Sequence, residues 1–294
     1  MVETKYRLSE KSWGPNLQGE GVYAGTPSVW IRTFGCNLTC PGFPCDTEYA
    51  WNKSMRDDTL IFTVKELVDN AGELLVKESN PKGLLIHPIT GNPFHLVFTG
   101  GEPLLPKYQK MIMEVISLTQ TDEYIDKWYP YSKSDDDRAV LRITIETNGT
   151  QVLSDEFIEF LMDNNGVDVL FSFSPKLFAA SGEKNAVNYK NIAKIMAMFD
   201  FQLKFVCDES DECGKELDET VEKLKDVFLE VNGDVYDREE VTTLVLYDKL
   251  WVMPKGTTRE DQLNVAGIVE KYQDKGYKIA TRNHTYIWSD DKGR

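Results

Sequence analysis

Three cysteines fall inside ten residues, at Cys36, Cys40 and Cys45, and no other feature restricts the fold and chemistry of the chain as much. They follow an apolar run, Val29-Trp30-Ile31 continued by Thr33-Phe34, that reads as a buried strand. Gly35, Pro41, Gly42 and Pro44 then interrupt regular structure, which puts the thiols on a loop at a strand end. Such a loop can wrap one metal centre. Three thiolates do not close a four-coordinate site; on an iron–sulfur cluster they leave one iron open to an outside ligand. A structural zinc ion would need a fourth ligand, and His87, His95, Cys207 and Cys213 lie far off in sequence. A disulfide framework fits poorly with an odd count of five cysteines. The loop alone leaves a cluster and zinc both open. Cys207 and Cys213 lie in an acidic stretch that disfavours thiolates, and both are read as non-ligands.

The rest of the chain alternates apolar runs with helical patterns. Strands are predicted at Phe94–Phe98, Leu141–Glu146, Val167–Phe171 and Gln202–Val206, with a last strand region over Val241–Tyr247 and Leu250–Val252. Helices are predicted from Thr63, whose spacing to Glu66 is that of a capping box, and over Tyr108–Leu118, Asp155–Met162, Asn188–Phe199, Glu216–Leu229 and Arg259–Lys275. Short motifs follow the strands directly: Thr99-Gly100-Gly101-Glu102-Pro103, Thr147-Asn148-Gly149 and Ser172-Phe173-Ser174-Pro175-Lys176. A Gly-Gly turn at a strand end lets backbone approach a ligand closely. In α/β barrels the site forms at the C-terminal strand ends. The expected fold is therefore α/β, a single partial (β/α)6-type barrel over residues 1–294, with polar insertions near 79–93 and 121–140. The Asp135-Asp136-Asp137 run reads as part of a solvated insertion rather than a metal site.

The cysteine loop resembles that of radical S-adenosylmethionine enzymes, whose usual spacing is Cys-x3-Cys-x2-Cys; here it is Cys-x3-Cys-x4-Cys. Leu17-Gln18-Gly19-Glu20-Gly21 upstream, Arg32 on the strand, and Cys45-Asp46-Thr47 at the loop exit together resemble the 7-carboxy-7-deazaguanine synthase family of 7-deazaguanine and queuosine biosynthesis. Members of that family vary the length of this loop.

The resemblance implies a [4Fe–4S] cluster on Cys36, Cys40 and Cys45, with S-adenosylmethionine held by Pro44, Cys45, Asp46, Gly101, Glu102, Glu146, Ser174, Pro175 and Lys176. It implies a magnesium ion on the Thr47 hydroxyl, and a pterin substrate bound by Leu17, Gln18, Gly19, Glu20, Arg32 and Thr99. The implied reaction converts 6-carboxy-5,6,7,8-tetrahydropterin to 7-carboxy-7-deazaguanine with loss of ammonia, by a radical ring contraction. An electron donor of flavodoxin or ferredoxin type and a homodimer are implied as partners. The tail, with Arg282, His284 and Trp288, resembles the ending of longer family members, although His284 reads equally well as a satisfied histidine on a final strand.

Two alternatives compete. A glycyl-radical activase would share the cysteine loop and Gly-Gly-Glu, but would not need Gln18-Gly19-Glu20 or Arg32. A non-catalytic iron–sulfur or zinc-binding protein would not need the Gly-Gly-Glu or Ser-Pro-Lys turns. Composition bounds the partners. A net charge of −15 is repelled by phosphate backbones, so direct nucleic-acid binding is disfavoured. No apolar run reaches the roughly 18 residues of a membrane span. Met1–Lys5 has no apolar segment behind it that reads as a signal peptide, and with free cysteines the expectation is a reducing cytoplasm.

Overall fold

The computed structural model describes residues 4–42, 45–129, 140–233, 235–242, 249–263 and 266–289. Its strands are β1 (Lys5–Leu8), β2 (Trp13–Leu17), β3 (Pro27–Thr33), β4 (Leu60–Thr63), β5 (His95–Gly100), β6 (Leu141–Thr147), β7 (Val167–Phe173), β8 (Asp200–Cys207), β9 (Leu250–Pro254) and β10 (Lys278–Ile279). They form one sheet in the order β10-β9-β8-β7-β6-β5-β3-β1-β4, with β2 paired to β3. Every pairing from β3 through β10 along that path is parallel, while β1, β2 and β4 add antiparallel ladders. Parallel neighbours need crossovers, which the intervening helices supply. The fold is thus α/β with a mostly parallel sheet.

The strand sequences show why the sheet has two unlike faces. Side chains alternate along a strand. On β8, Phe201, Leu203, Phe205 and Cys207 belong to the apolar core, whereas the alternate positions are Gln202 and Lys204, both buried. On β6, Leu141, Ile143 and Ile145 enter the core and Thr144 and Glu146 alternate with them; on β5, Leu96 and Phe98 do so and Thr99 alternates. The core face is covered by the helices Val64–Leu75, Pro106–Thr119, Asp155–Asp163, Tyr189–Met198 and Asp211–Asn232. The other face carries buried polar groups, which must find partners there.

The first of these helices starts as its sequence dictates: the Thr63 hydroxyl accepts from Glu66 N–H, and the Glu66 carboxylate accepts from Thr63 N–H. Other expectations change. Residues 121–129 are not a solvated stretch, because a helix, Asp122–Trp128, buries Tyr124 and Trp128 together with Tyr129 in the core. Asp135, Asp136 and Asp137 lie outside the described residues. Val241 lies in a short helix, Arg238–Thr242, rather than a strand, since the Asp237 carboxylate accepts from Glu239 and Glu240 N–H and starts the turn; residues 243–248 lie outside the described set. The segment predicted as one helix over 259–275 is described as Arg259–Leu263 and Ala266–Gln273. His284 lies on a helix, Asn283–Trp288, not on a final strand. No helix among the described residues is long and apolar enough to cross a membrane.

Candidate active site

The cysteine loop leaves β3 through Gly35, whose N–H donates to Ala50 O and whose O accepts from Glu102 N–H. The Gly-Gly turn after β5 packs against this first bend. A Cβ on Gly101 would stand 2.2 Å from Gly35 O, so only glycine fits there. Cys36 Sγ accepts from Leu38 N–H at 3.4 Å and from Asn148 Nδ2 at 3.8 Å. Cys45 Sγ lies 3.5 Å from Thr47 Oγ1. Burial pushes the Cys36 thiol up to about 12, and Cys40 is raised for the same reason. All three cysteines line one cavity of about 220 Å³ at the C-terminal ends of the parallel strands. Among the described residues no three His, Cys, Asp or Glu side chains converge closely enough to hold a single metal ion. A cluster is wider than one ion, and three sulfur donors lining one cavity are the donor set that leaves an iron open. The residues present therefore fit the cluster that the sequence implies.

The same cavity is lined by a buried ion network. Lys204 Nζ, with its side chain 3% exposed, donates to Glu20 Oε2 at 2.7 Å and to Glu146 Oε1 at 3.5 Å. Arg282 Nε donates to the other Glu20 oxygen at 3.0 Å, its Nη1 to Gly256 O at 2.8 Å, and its Nη2 to Asp46. Burial alone would raise the Glu20 pKa, but Lys204 and then Arg282 hold its carboxylate far below the usual range. Burial would lower Lys204, and the Glu146 and Glu20 carboxylates reverse that into a raised pKa. Glu146 also accepts from Thr99 Oγ1 at 3.1 Å and Gln18 Nε2 at 3.3 Å. Burial keeps the His284 pKa below its ordinary value against the pull of Glu20. Arg32 donates from Nε to Glu10 at 2.8 Å and lies over the Trp13 ring at 4.8 Å. Trp13 in turn stacks on Trp30, whose buried indole N–H has no partner among the described residues.

Leu17, Gln18, Glu20, Arg32, Cys36, Cys40, Cys45, Asp46, Thr47, Thr99, Gly101, Glu146, Ser174 and Lys176 all line this cavity. Gly19, Glu102 and Pro175 do not line it, and Pro44 lies outside the described residues. Gly19 is packed under the tail: its O accepts from Asn283 N–H, and a Cβ would stand 2.1 Å from His284 Nδ1. Glu102 is turned away from the cavity. Its carboxylate accepts from Leu104 N–H, Thr147 Oγ1 and Asn148 N–H at 2.7–2.9 Å, and burial raises its pKa to about 6. It braces the two motif turns from behind. Cys207 and Cys213 are fully buried in the core and off the cavity, surrounded by apolar side chains rather than by the acidic stretch alone.

Lys204, Met253 and Gly256 are lining residues outside the motifs, while Ser172 and Asn148 lie within them but were not assigned a role. For Lys204 a signal exists: a charged residue alternates with Phe201, Leu203 and Phe205 in an otherwise apolar strand. Arg282 and His284 also reach the cavity, and their position in the chain gives no such sign.

No protein-family model matches the chain. Among curated proteins it is 30% identical over 264 residues to the 7-carboxy-7-deazaguanine synthase of Rhodopirellula baltica, spanning 85% of this chain and 73% of that protein. It is 25% identical over 297 residues to the protein of that name from Halobacterium salinarum, spanning 94% and 88% of the two chains. With the one from Bacillus cereus it shares 23% identity over 289 residues and 96% of each chain. Among solved structures, QueE from Escherichia coli is similar with a TM-score of 0.48 and 17% identity over 95% of each chain.

Proposed function

The chain belongs to the 7-carboxy-7-deazaguanine synthase family, and from that premise we propose that it converts 6-carboxy-5,6,7,8-tetrahydropterin to 7-carboxy-7-deazaguanine and ammonia, on a sheet of the partial-barrel type. The observation that carries the reading is one cavity lined both by three cysteines and by a buried network of carboxylates and cations. A [4Fe–4S] cluster with bound S-adenosylmethionine supplies the reductive sulfonium cleavage and hydrogen abstraction that such a ring contraction needs.

Cys36, Cys40 and Cys45 would hold the cluster. Ser174 and Lys176, joined by a hydrogen bond of 2.9 Å, would meet S-adenosylmethionine with the Gly101 backbone and Glu146. Gln18 offers two donors and an acceptor to a pterin edge. Glu10 takes Arg32 Nε, so the terminal amines of the fork are what a substrate carboxylate would meet. A bidentate grip of that kind is specific to arginine. Lys204 and Arg282 keep Glu20 ionised and immobile beside the substrate. Trp13, Trp30 and Trp51 line the same cavity and exclude water from it. Thr47 contributes a hard oxygen suited to magnesium. The electron needed at the cluster would come from a small redox protein of flavodoxin or ferredoxin type.

Anaerobic protein reconstituted with iron and sulfide, then given S-adenosylmethionine, a chemical reductant and the carboxypterin, is expected to yield the deazaguanine with ammonia. Formation of 5′-deoxyadenosine without any deazaguanine would reject the substrate. No cluster uptake at all would reject the reading as a whole.

A further inference from the structure

The second gap of the cysteine loop is four residues instead of two. Cys40 also adopts a left-handed backbone, with φ of +46°, which a non-glycine residue holds only when its surroundings impose it. We propose that Glu183 is the positioning residue that imposes it, clamping the cysteine loop from outside. This inference rests on the cluster assignment above.

One Glu183 oxygen, Oε1, accepts three hydrogen bonds from the loop: Thr39 N–H at 2.5 Å, Cys40 N–H at 2.6 Å and Thr39 Oγ1 at 2.9 Å. A carboxylate that gathers adjacent backbone N–H groups fixes the peptide planes on both sides of Thr39, and with them the direction of the Cys40 side chain. Two residues on, Gly42 N–H donates to Ser181 O at 2.7 Å. A Cβ at Gly42 would come within 2.6 Å of Ser181 C and 2.7 Å of Gly182 N, so the loop can rest on this shelf only with glycine there. The shelf is itself braced. The Glu216 carboxylate, on the helix Asp211–Asn232, accepts from Phe178 N–H at 2.6 Å and Ala179 N–H at 2.7 Å at the start of the shelf helix Phe178–Ser181. The shelf continues directly from Ser174-Pro175-Lys176, so the turn that lines the cavity and the clamp on its second cysteine are one rigid segment. Neither Glu183 nor Ser181 lines the cavity. The role is positioning, exerted through Cys40.

The test compares full-length parent, E183A and E183Q, each reconstituted anaerobically with iron and sulfide, then exposed to a strong iron chelator while the charge-transfer absorbance is followed. Outer-shell partners of metal ligands typically affect metal retention by about tenfold to a hundredfold. E183A is expected to lose iron about tenfold faster than the parent, with E183Q between them because its amide oxygen still accepts, and with cluster-free melting temperatures unchanged. Parent-like retention in E183A overturns the proposal, as does a faster loss that merely tracks a lowered melting temperature. If E183A is not recovered, E183Q decides alone: parent-like retention overturns the clamp, faster loss at an unchanged melting temperature supports it. A parent that takes up no cluster removes the assignment beneath the inference, an outcome distinct from a parent that loads normally and variants that match it.

Discussion

Replacing Lys204 by methionine keeps the length of the side chain and deletes one charge from the wall of the cavity. The lysine is 3% exposed and its partner Glu20 is 11% exposed, at 2.7 Å. Removing one member of a buried pair typically costs 3–5 kcal/mol, most of it the penalty on the charge left behind. Glu20 keeps Arg282 at 3.0 Å, so the lower end applies, about 3 kcal/mol. At roughly 2–4 °C per kcal/mol for a large domain, the cluster-free variant should melt about 6–12 °C below the parent. The pH dependence carries a sign. The Glu20 pKa is depressed in the folded protein, so its contribution is complete above its ordinary value of 4.5 and fades as pH falls below it. The Lys204 pKa is raised, so its contribution is complete below 10.5 and fades above. Parent and variant should therefore differ by a constant amount across neutral pH and converge towards both extremes. Urea unfolding of both proteins through that range measures this, and K204M/E20Q should recover part of the loss by removing the stranded carboxylate. A loss under about 1 kcal/mol at neutral pH, where exposed pairs fall, would refute the ion-network argument, and so would a difference that stays flat into acid.

Arg32→Ala should lower kcat/KM for the carboxypterin about tenfold to a hundredfold, the worth of one charge-assisted contact, with iron content unchanged. Arg32→Lys should also raise KM, because a single ammonium cannot serve Glu10 and a substrate carboxylate as the fork does; parent-like kinetics in Arg32→Ala would reduce the residue to a structural ion pair. Thr47→Ala should keep S-adenosylmethionine cleavage and lose any stimulation by magnesium, and an equal magnesium response in both proteins would take the metal off that hydroxyl. Cys207→Ala combined with Cys213→Ala should leave iron content where it was, since both thiols lie in the apolar core; a loss of iron there would mean that the cluster is held elsewhere.

What could be read from the sequence was what local chemistry specifies. A strand followed at once by a broken, cysteine-rich loop, or by Gly-Gly, places those residues at a strand end whatever the rest of the chain does. Cys36 and Gly101 are duly brought against each other across β3 and β5. The direction of a side chain at such a turn is another matter. Glu102 belongs to the right motif, yet its carboxylate turns onto Thr147 and Asn148, donors 45 and 46 residues away, together with the nearby Leu104 N–H, rather than into the cavity. The pairing of Lys204 and Arg282 with Glu20 could not be assigned for the same reason: Glu20 lies 184 residues from one and 262 from the other. The aromatic helix inside the polar stretch after residue 121 was hidden by its acidic flanks, although Tyr124 and Trp128 have the i, i+4 spacing of a buried helical face.

These long-range partners also bear on how an acidic protein would receive the carboxylate substrate proposed for it. The chain as a whole carries −15. Among the described residues lining the cavity, the cations are Arg32, Lys176, Lys204 and Arg282, and the ionisable carboxylates are Glu20, Asp46 and Glu146. The lining is therefore one charge positive where the surface is strongly negative. Screening over about 10 Å at ordinary ionic strength weakens the surface repulsion, while the buried groups keep their full effect. Glu20 and Asp46 are already engaged by Lys204 and Arg282, while Arg32, anchored from behind by Glu10 and Trp13, stands in the same lining as a cation that a carboxylate entering the cavity would meet.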